Sequence, residues 1–380
     1  MNISAGLSTP ARSSDGEVSD RPLRIAFAGG NGYPPEDSGG VQSSTDDLAR
    51  RLVAAGHTPL VLVPLYGKGA FGMRARMKLR MTGGPLVTDM RAGYRVFRAW
   101  SPEDAVSAFA ARTRPDIAVV QCHGSVPLAR TFRAAGVPVV LYLRNVEFDE
   151  LGGDPATAGA SAFIANSRFT AGVYRDRFGI EAQVIPPTID PARLAVDPDH
   201  GAVVFINPVA DKGLDLALAI AALCPEIPFL FVESWRLSQD ALEALCARIA
   251  LLPNVTFERR KSDVREVYGR ARVVLAPSQW AEAWGRVASE AQVSGLPVLG
   301  SDRGGLPEAI GPGGVVLPAD APAEIWADAL RRIWSDPVHR ATLSAAARSH
   351  AASPGMDAGR QFATFLGILR TALAGKDAAR

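Results

Sequence analysis

The sequence predicts an α/β protein of two doubly wound domains that face a central cleft, and three observations lead to this prediction. Short apolar runs alternate with helical patterns along nearly the whole chain. A segment rich in proline and aspartate, residues 185–201, interrupts the alternation, and the same layout then starts again. The length of 380 residues exceeds one ordinary core and suits two domains.

The first half of the chain is predicted to form a parallel sheet. One helix is predicted at 41–56, with Val41, Leu48 and Leu52 on one face and Gly56 as its stop signal, and another at 102–113. Because the intervening runs are apolar throughout, we expect strands buried between helices on both faces of the sheet. These strands are predicted at 24–29, 58–64, 94–100, 116–122, 138–143 and 162–166.

The second half repeats this layout without repeating the sequence. Helices are predicted at 214–223 and 238–251, and strands at 202–207, 228–233, 254–258, 273–276, 297–300 and 314–317. The predicted organisation is a flexible tail (1–22), a first domain (23–195), a second domain (196–355) and a C-terminal helix that packs back toward the first domain (356–380). Ligands of such folds bind at the carboxyl ends of the strands, which here meet in the cleft.

Composition excludes several classes of protein. The net charge of +2 predicts no nucleic acid partner for the chain as a whole. The cysteines Cys122, Cys224 and Cys246 form neither a disulfide framework nor a zinc pattern, so we expect reduced thiols in a cytoplasmic protein. Residues 1–22 lack the apolar core of a signal peptide, and no stretch is apolar enough to span a bilayer. We infer no oligomeric state.

The chain has one basic run, at residues 67–84, in which Arg74, Arg76, Lys78 and Arg80 recur at every second position. We expect a solvated, mobile loop on the first-domain side of the cleft. Contact with an anionic substrate, or peripheral contact with the inner face of an anionic membrane, is the alternative.

Residues 280–311 (WAEAWGRVASEAQVSGLPVLGSDRGGLPEAIG) hold two glutamates with seven residues between them. Glu282 follows the strand 273–276 and should lie in a loop at the carboxyl edge of the sheet. Glu290 lies on the next helix, which begins near Gly285. Free N–H groups in the first turn of that helix favour a phosphate, so the stretch suits a nucleotide sugar. Alternatively, Glu282 faces solvent and Glu290 only complements the helix dipole.

From Arg24 onward, the sequence resembles the retaining GT-B glycosyltransferases of family 4, whose two Rossmann-like domains face a cleft. The strongest likeness is APSQWAEAWGRVASEAQVSGLPVLGSDRGGLPEAIG, which is similar to the E-x7-E signature of the family and its flanks. Five further pieces agree in order: PPEDSGGVQSSTDDLARRLVAAGH, DIAVVQCHGS, FIANSRFTAGVYRDRFG, VIPPTIDPARL and DKGLDLALAIA.

The resemblance implies a role for each candidate residue. Glu290 would bind the ribose hydroxyls and Glu282 the donor sugar, and Lys212 would bind phosphate. The implied catalytic residues are His123, Glu282 and Lys212. The implied donor-binding residues are Gly39, Gly40, Asn207, Lys212, Glu282, Trp284, Gly285, Arg286, Val287 and Glu290. Asn145 and Glu147 are the candidates on the acceptor side.

Two positions depart from the family pattern. The family has an arginine five residues before Lys212, where this chain has Asn207, and a glycine-rich turn where it has residues 233–235 (Glu-Ser-Trp). Either Lys212 and backbone donors suffice for the diphosphate, or Arg286 or another basic residue supplies the missing charge. The departures indicate a divergent branch.

The function expected from the resemblance is metal-independent transfer of a sugar from a nucleoside diphosphate, UDP- or GDP-linked, to an acceptor glycan, lipid-linked glycan or metabolite, with retention and without a cofactor. The alternatives are a nucleotide-sugar epimerase of the same fold or an inactive GT-B binding protein. A phosphorylase would need a pyridoxal-phosphate lysine, and none is recognisable. In a dehydrogenase, G-x-G-x-x-G should follow the first strand. The chain instead has AGGNGYPPEDSGG there, with prolines where the helix should start.

Overall fold

The computed structural model describes residues 21–199 and 201–377, with side chains up to residue 375. It shows two α/β units, each built on its own sheet. The predicted tail, 1–22, lies outside the described residues except for its last two. The fold class predicted from the sequence is confirmed. Each strand predicted above is present with ends that agree within two residues.

The first sheet has eight strands in the order β3-β4-β2-β1-β5-β6-β7-β8 and is parallel except for the antiparallel pair β3 and β4. Its strands are β1 (Arg24–Ala28), β2 (Thr58–Pro64), β3 (Val87–Arg91), β4 (Tyr94–Ala99), β5 (Ile117–Gln121), β6 (Val139–Leu143), β7 (Ala162–Ala165) and β8 (Gln183–Val184). Its helices are α1 (Gly40–Ala54), α2 (Gly69–Thr82), α3 (Pro102–Thr113), α4 (Ser125–Ala134) and α5 (Arg168–Phe178). The short helix α6 (Pro191–Leu194) lies in the proline-rich segment between the sheets.

The second sheet has six parallel strands in the order β11-β10-β9-β12-β13-β14. They are β9 (Ala202–Ile206), β10 (Phe229–Val232), β11 (Val255–Glu258), β12 (Ala271–Ala276), β13 (Val298–Ser301) and β14 (Gly314–Leu317). The helices are α7 (Leu214–Leu223), α8 (Gln239–Ile249), α9 (Arg265–Tyr268), α10 (Arg286–Val293), α11 (Leu306–Ile310), α12 (Ala323–Ser335), α13 (Pro337–Ala351) and α14 (Ala358–Asp377). In both sheets the strand order reverses once, between β1 and β5 and between β9 and β12, and these switch points are where open α/β sheets bind ligands.

The last helix, α14, packs on the first sheet although it follows the second in sequence. Phe365 is fully buried, and its ring stacks on Phe27 of β1 with centroids 6.1 Å apart. Ile368 and Leu369 lie in the same apolar cluster as β1. The chain therefore crosses between the two domains twice, before β9 and before α14.

The prediction of a mobile loop at residues 67–84 is wrong, because the structure has the helix α2 there. Ala75 and Leu79, four residues apart, are buried against Leu65 and Val87 and give the segment an apolar face that binds it to the sheet. In the sequence, the basic residues at every second position hid the helical spacing of Ala75 and Leu79. No helix within 21–199 and 201–377 has the length and apolar content needed to span a membrane.

Replacing Phe365 by alanine is expected to lower the free energy of unfolding by about 3–5 kcal/mol, because it leaves a cavity under β1. Urea denaturation followed by circular dichroism measures the change. The control is Thr364→Ala, one residue earlier on the exposed face of α14. Equal stability of the two variants would contradict the packing described for this helix.

Candidate active site

A cleft of about 1040 Å³ lies at the carboxyl ends of the two sheets and is lined by residues of both. The structure brings most of the candidate residues together on its walls: Gly39, Gly40, Asn145, Glu147, Asn207, Lys212, Glu282, Trp284, Gly285, Arg286, Val287 and Glu290. His123 is exposed and is not among the lining residues. It lies beside Gly30, whose N–H donates to the His123 carbonyl at 2.8 Å.

Glu282 and Lys212 meet at the switch point of the second sheet, in the segments that follow β12 and β9. Lys212 Nζ lies 2.6 Å from Glu282 Oε1, which also accepts a hydrogen bond from Ser278 Oγ at 2.6 Å. Both charged side chains are largely buried, with 13% and 15% of their surface exposed. The pair places an ammonium donor and a carboxylate acceptor side by side on the cleft wall.

Two tryptophans enclose Lys212. Its ammonium lies 4.9 Å from the ring centroid of Trp235 and 4.6 Å from that of Trp280. The two rings are 6.2 Å apart and tilted by 57°. Cation–π contacts of this kind hold a partly desolvated lysine in place. Trp235 was noted only as part of the turn that departs from the family pattern, and neither tryptophan was a candidate site residue, since aromatic residues in loops carry no specific motif.

Asn207 organises the loop that carries Trp235. It is buried, has a left-handed backbone (φ 63°), and its Oδ1 accepts hydrogen bonds from Ser234 N at 3.0 Å and Trp235 N at 2.6 Å. Asparagine tolerates this conformation better than most residues. The two departures noted in the sequence are therefore one structural unit, in which Asn207 fixes the loop that places an aromatic ring on Lys212.

Glu290 is held by two donors in the first part of α10 and in α9. Its Oε1 accepts from Arg286 Nε at 2.6 Å and its Oε2 from Tyr268 OH at 2.9 Å. Burial, and then the charge of Glu290, raise the pKa of Tyr268 well above its ordinary value. The tyrosine therefore stays protonated and donates to the carboxylate.

Arg286 joins the two domains across the cleft. Its Nη2 lies 3.0 Å from Asp47 Oδ2 of α1, and its Nη1 donates to Ser44 Oγ at 3.0 Å. Burial alone would lower the pKa of Arg286, but Glu290 and Asp47 outweigh it and leave that pKa raised. Because two carboxylates already neutralise this guanidinium, it is a bridge between domains and not a spare positive charge.

The N-termini of α1 and α10 approach each other at this bridge. Gly39 and Gly285 cap these helices without a side-chain hydrogen bond, and neither first turn contains an acidic residue. Gly285 has φ 99°, which favours glycine, and a Cβ there would lie 2.5 Å from Leu306 Cδ1. A Cβ on Gly40 would lie 3.8 Å from Arg286 Cδ. Two uncapped helix N-termini favour an anion between them.

On the first-domain wall, Asn145 and Glu147 follow β6. Asn145 Nδ2 donates to the Glu147 carbonyl at 3.4 Å, and Glu147 Oε2 accepts from Val146 N at 3.2 Å. Between the two domains, the amides of Arg168 and Phe169 at the start of α5 donate to Glu308 of α11 at 3.0 and 2.8 Å. Within 21–199 and 201–377, no three His, Cys, Asp or Glu side chains are grouped as a metal site.

Comparison with known proteins identifies the family. Residues 38–193 match the sequence model of "Glycosyltransferase Family 4", and residues 192–350 match that of "Glycosyl transferases group 1". The chain belongs to glycosyltransferase family 4. Both matched regions contribute to the cleft, and their common boundary lies in the proline-rich segment between the two sheets.

Two curated relatives are named D-inositol 3-phosphate glycosyltransferase. The protein from Segniliparus rotundus is 28% identical over 51% of this chain and 49% of its own length. The protein from Mycolicibacterium vanbaalenii is 34% identical over 43% of this chain and 39% of its own length. The chain thus spans half or less of the length of these curated relatives.

Solved structures share the fold over nearly the whole chain. HepE of Anabaena, crystallised with UDP and glucose, matches with a TM-score of 0.74 and 20% identity, covering 92% of this chain and 100% of that one. A sucrose-phosphate synthase from Thermosynechococcus elongatus matches with a TM-score of 0.74 and 18% identity, covering 92% and 99%. At these identities the likeness establishes the GT-B fold of this family 4 glycosyltransferase.

Replacing Asn207 by arginine, the residue usual in the family, is expected to destabilise the protein rather than restore a phosphate clamp. The change removes the acceptor of two loop amides and puts a long charged side chain at a buried left-handed position, at a cost of about 1–3 kcal/mol. Asn207→Asp, which keeps an acceptor oxygen, is the matched control. Urea denaturation compares them, and an arginine variant as stable as the parent would contradict this role of Asn207.

Proposed function

We propose that the protein transfers a sugar from a nucleoside diphosphate to the hydroxyl of an acceptor, with retention of anomeric configuration, within the cleft between its domains. The observation that carries the proposal is the grouping of Glu290, Glu282 and Lys212 around the uncapped N-terminus of α10. Carboxylates that can bind hydroxyls and donors that can bind phosphate share one wall, as a nucleotide sugar requires.

Glu290 receives the ribose of the donor in this proposal. Tyr268 and Arg286 hold the carboxylate from one side and fix its orientation before the donor binds. A preoriented carboxylate that accepts from two ribose hydroxyls forms charge-assisted hydrogen bonds, which are about twice as strong as neutral ones.

Lys212 and the helix N-termini receive the diphosphate. An ammonium group has three donors, so Lys212 can keep its bond to Glu282 while it contacts a phosphate oxygen. When the bond to the sugar breaks, negative charge grows on the leaving diphosphate. Donors fixed before the reaction stabilise that charge without reorganisation, which is the largest contribution that such a site makes to catalysis.

Glu282 contacts the donor sugar beside Lys212, and the bridge between Arg286 and Asp47 keeps the domains closed over it. Closure excludes water, which would otherwise compete with the acceptor hydroxyl. Retention is proposed from membership of the family. HepE of Anabaena was solved with UDP and glucose, and this supports UDP as the nucleotide tested first.

Hydrolysis of UDP-, GDP-, ADP- and dTDP-sugars without acceptor tests the proposal. We expect slow release of one nucleotide by the parent, and a loss of donor affinity of about 10- to 100-fold in Glu290→Ala and Lys212→Ala, the range for a lost charge-assisted hydrogen bond. Glu324→Ala, on the exposed surface of α12, is the control.

Three other outcomes are distinguishable in this assay. Conversion of the donor into its epimer would favour the epimerase. Nucleotide binding without turnover, with or without candidate acceptors, would favour an inactive binding protein. Donor turnover that survives in Glu290→Ala and Lys212→Ala would contradict the assignment of these residues.

We also propose peripheral contact with an anionic membrane through α2. Met73, Met77 and Met81 are 61%, 60% and 80% exposed, and at 100° per residue they fall within about 80° of arc on the side of α2 opposite Ala75 and Leu79. Four exposed cations flank this stripe on both sides: Arg74, Arg76, Lys78 and Arg80. An apolar stripe with basic borders suits the surface of an anionic bilayer.

Replacing the three α2 methionines by glutamine is expected to weaken binding to vesicles of mixed anionic and neutral lipid by at least about tenfold, since a fully buried methionine contributes about 1.5–3 kcal/mol. Co-sedimentation with vesicles measures it. The matched control replaces three exposed apolar residues of the second domain by glutamine: Leu251, Ile325 and Val338. Failure of the parent to bind anionic vesicles would refute this contact.

A further inference from the structure

The positive charges around the cleft are mostly neutralised in advance. Eight cationic side chains line it, and six of them pair with carboxylates within the described part of the chain: Arg91, Arg193, Lys212, Lys261, Arg265 and Arg286. Of the other two, Arg260 is exposed and bonds Ser38 Oγ. Arg144 is 6% exposed, so it is a buried guanidinium without an acidic partner among the described residues.

Arg144 is placed at the carboxyl end of β6, beneath the first turn of α1. Its Nη1 donates to the carbonyl of Val41 at 3.3 Å and to Thr45 Oγ1 at 3.1 Å. Its guanidinium lies 3.8 Å from the ring centroid of Tyr142. These neutral contacts fix the group firmly in one orientation. Its Nη2 is buried and has no hydrogen-bond partner in the described structure.

The hydrogen bonds and the ring contact of Arg144 within the described residues involve no carboxylate. The turn of α1 that it contacts opens a helix of 15 residues whose N-terminus carries no side-chain cap and no acidic residue. Its dipole therefore adds positive potential beside the guanidinium. The buried guanidinium and the helix N-terminus are two positive features without a counter-charge, which is unfavourable, and an anionic ligand would satisfy both.

We propose that Arg144 and the N-terminus of α1 form a phosphate-binding site on the first-domain wall of the cleft. The phosphate belongs to one of the two substrates, either the donor diphosphate or a phosphate carried by the acceptor, and in this respect the proposal rests on the proposed function. Arg144 thus provides, from the opposite domain, the cation that Asn207 does not provide beside Lys212. Arg286 cannot take this part because Asp47 and Glu290 occupy it.

Titration calorimetry with UDP, uridine and pyrophosphate, on the parent and on Arg144→Gln, tests the site. Loss of a charge-assisted hydrogen bond predicts about 10- to 100-fold weaker binding of the phosphate-bearing ligand. Uridine should bind both proteins equally, because it lacks phosphate. Arg360→Gln, an exposed arginine of α14, is the control for loss of one positive charge.

The results distinguish the two sources of the phosphate. Weaker UDP and pyrophosphate binding in Arg144→Gln assigns the site to the donor. A second titration adds inorganic phosphate at saturating UDP. If Arg144→Gln keeps its UDP affinity but loses the binding of inorganic phosphate that the parent shows, the site belongs to the acceptor. Unchanged binding in both experiments overturns the proposal and leaves Arg144 a structural residue.

The parent protein alone gives a second test, which does not depend on the folding of any variant. Pyrophosphate should raise its melting temperature above that measured in sodium chloride of equal ionic strength. Absence of this shift, together with absence of UDP binding, overturns the phosphate site. A parent that binds pyrophosphate but no nucleotide keeps the phosphate site and refutes the proposed function instead.

Discussion

The bridge formed by Arg286 is the interaction on which the geometry of the cleft depends. One guanidinium contacts Glu290 of its own helix and Asp47 of α1 in the other domain, so a single side chain bears on both the orientation of the Glu290 carboxylate and the separation of two helix N-termini. A buried charge must keep its partners, because removing one partner costs far more than the pair contributes to stability. The arrangement of the cleft is therefore strongly determined wherever the domains are closed.

The need of a buried charge for partners also explains how Asn207 can stand where the family has an arginine while the cleft keeps its shape. Beside Lys212, a second cation would repel it in the absence of a ligand. Asn207 instead holds the Trp235 loop by two backbone hydrogen bonds, and the indole stabilises the ammonium through its ring face. The loop thus stabilises Lys212 without a ligand. A positive charge placed on the opposite wall would approach the phosphate only when both domains enclose it.

Much of this structure could be predicted from sequence. Parallel strands are apolar along their length, so the twelve predicted strands were found with small errors at their ends, and the glutamates and glycines of the cleft were located by motif. The antiparallel β3 was missed because only its first residue is buried, and β8 because it has two residues, both exposed. The helix α2 was missed because only Ala75 and Leu79 define its buried face. Asn207, Trp235 and Arg144 make their contacts with residues distant in sequence, which no local pattern encodes.

The packing of the two domains also bears on how substrates enter. None of the hydrophobic clusters of the described residues combines side chains of both sheets, and α14 belongs to the cluster of the first sheet alone. The contacts between the domains include polar ones, such as Arg286 with Asp47 and Glu308 with the first amides of α5. Opening the cleft would thus hydrate these groups without exposing an apolar core, which keeps its free-energy cost low. A substrate phosphate that adds a counter-charge on both walls would shift this balance toward the closed form, since a ligand favours the state to which it binds more tightly.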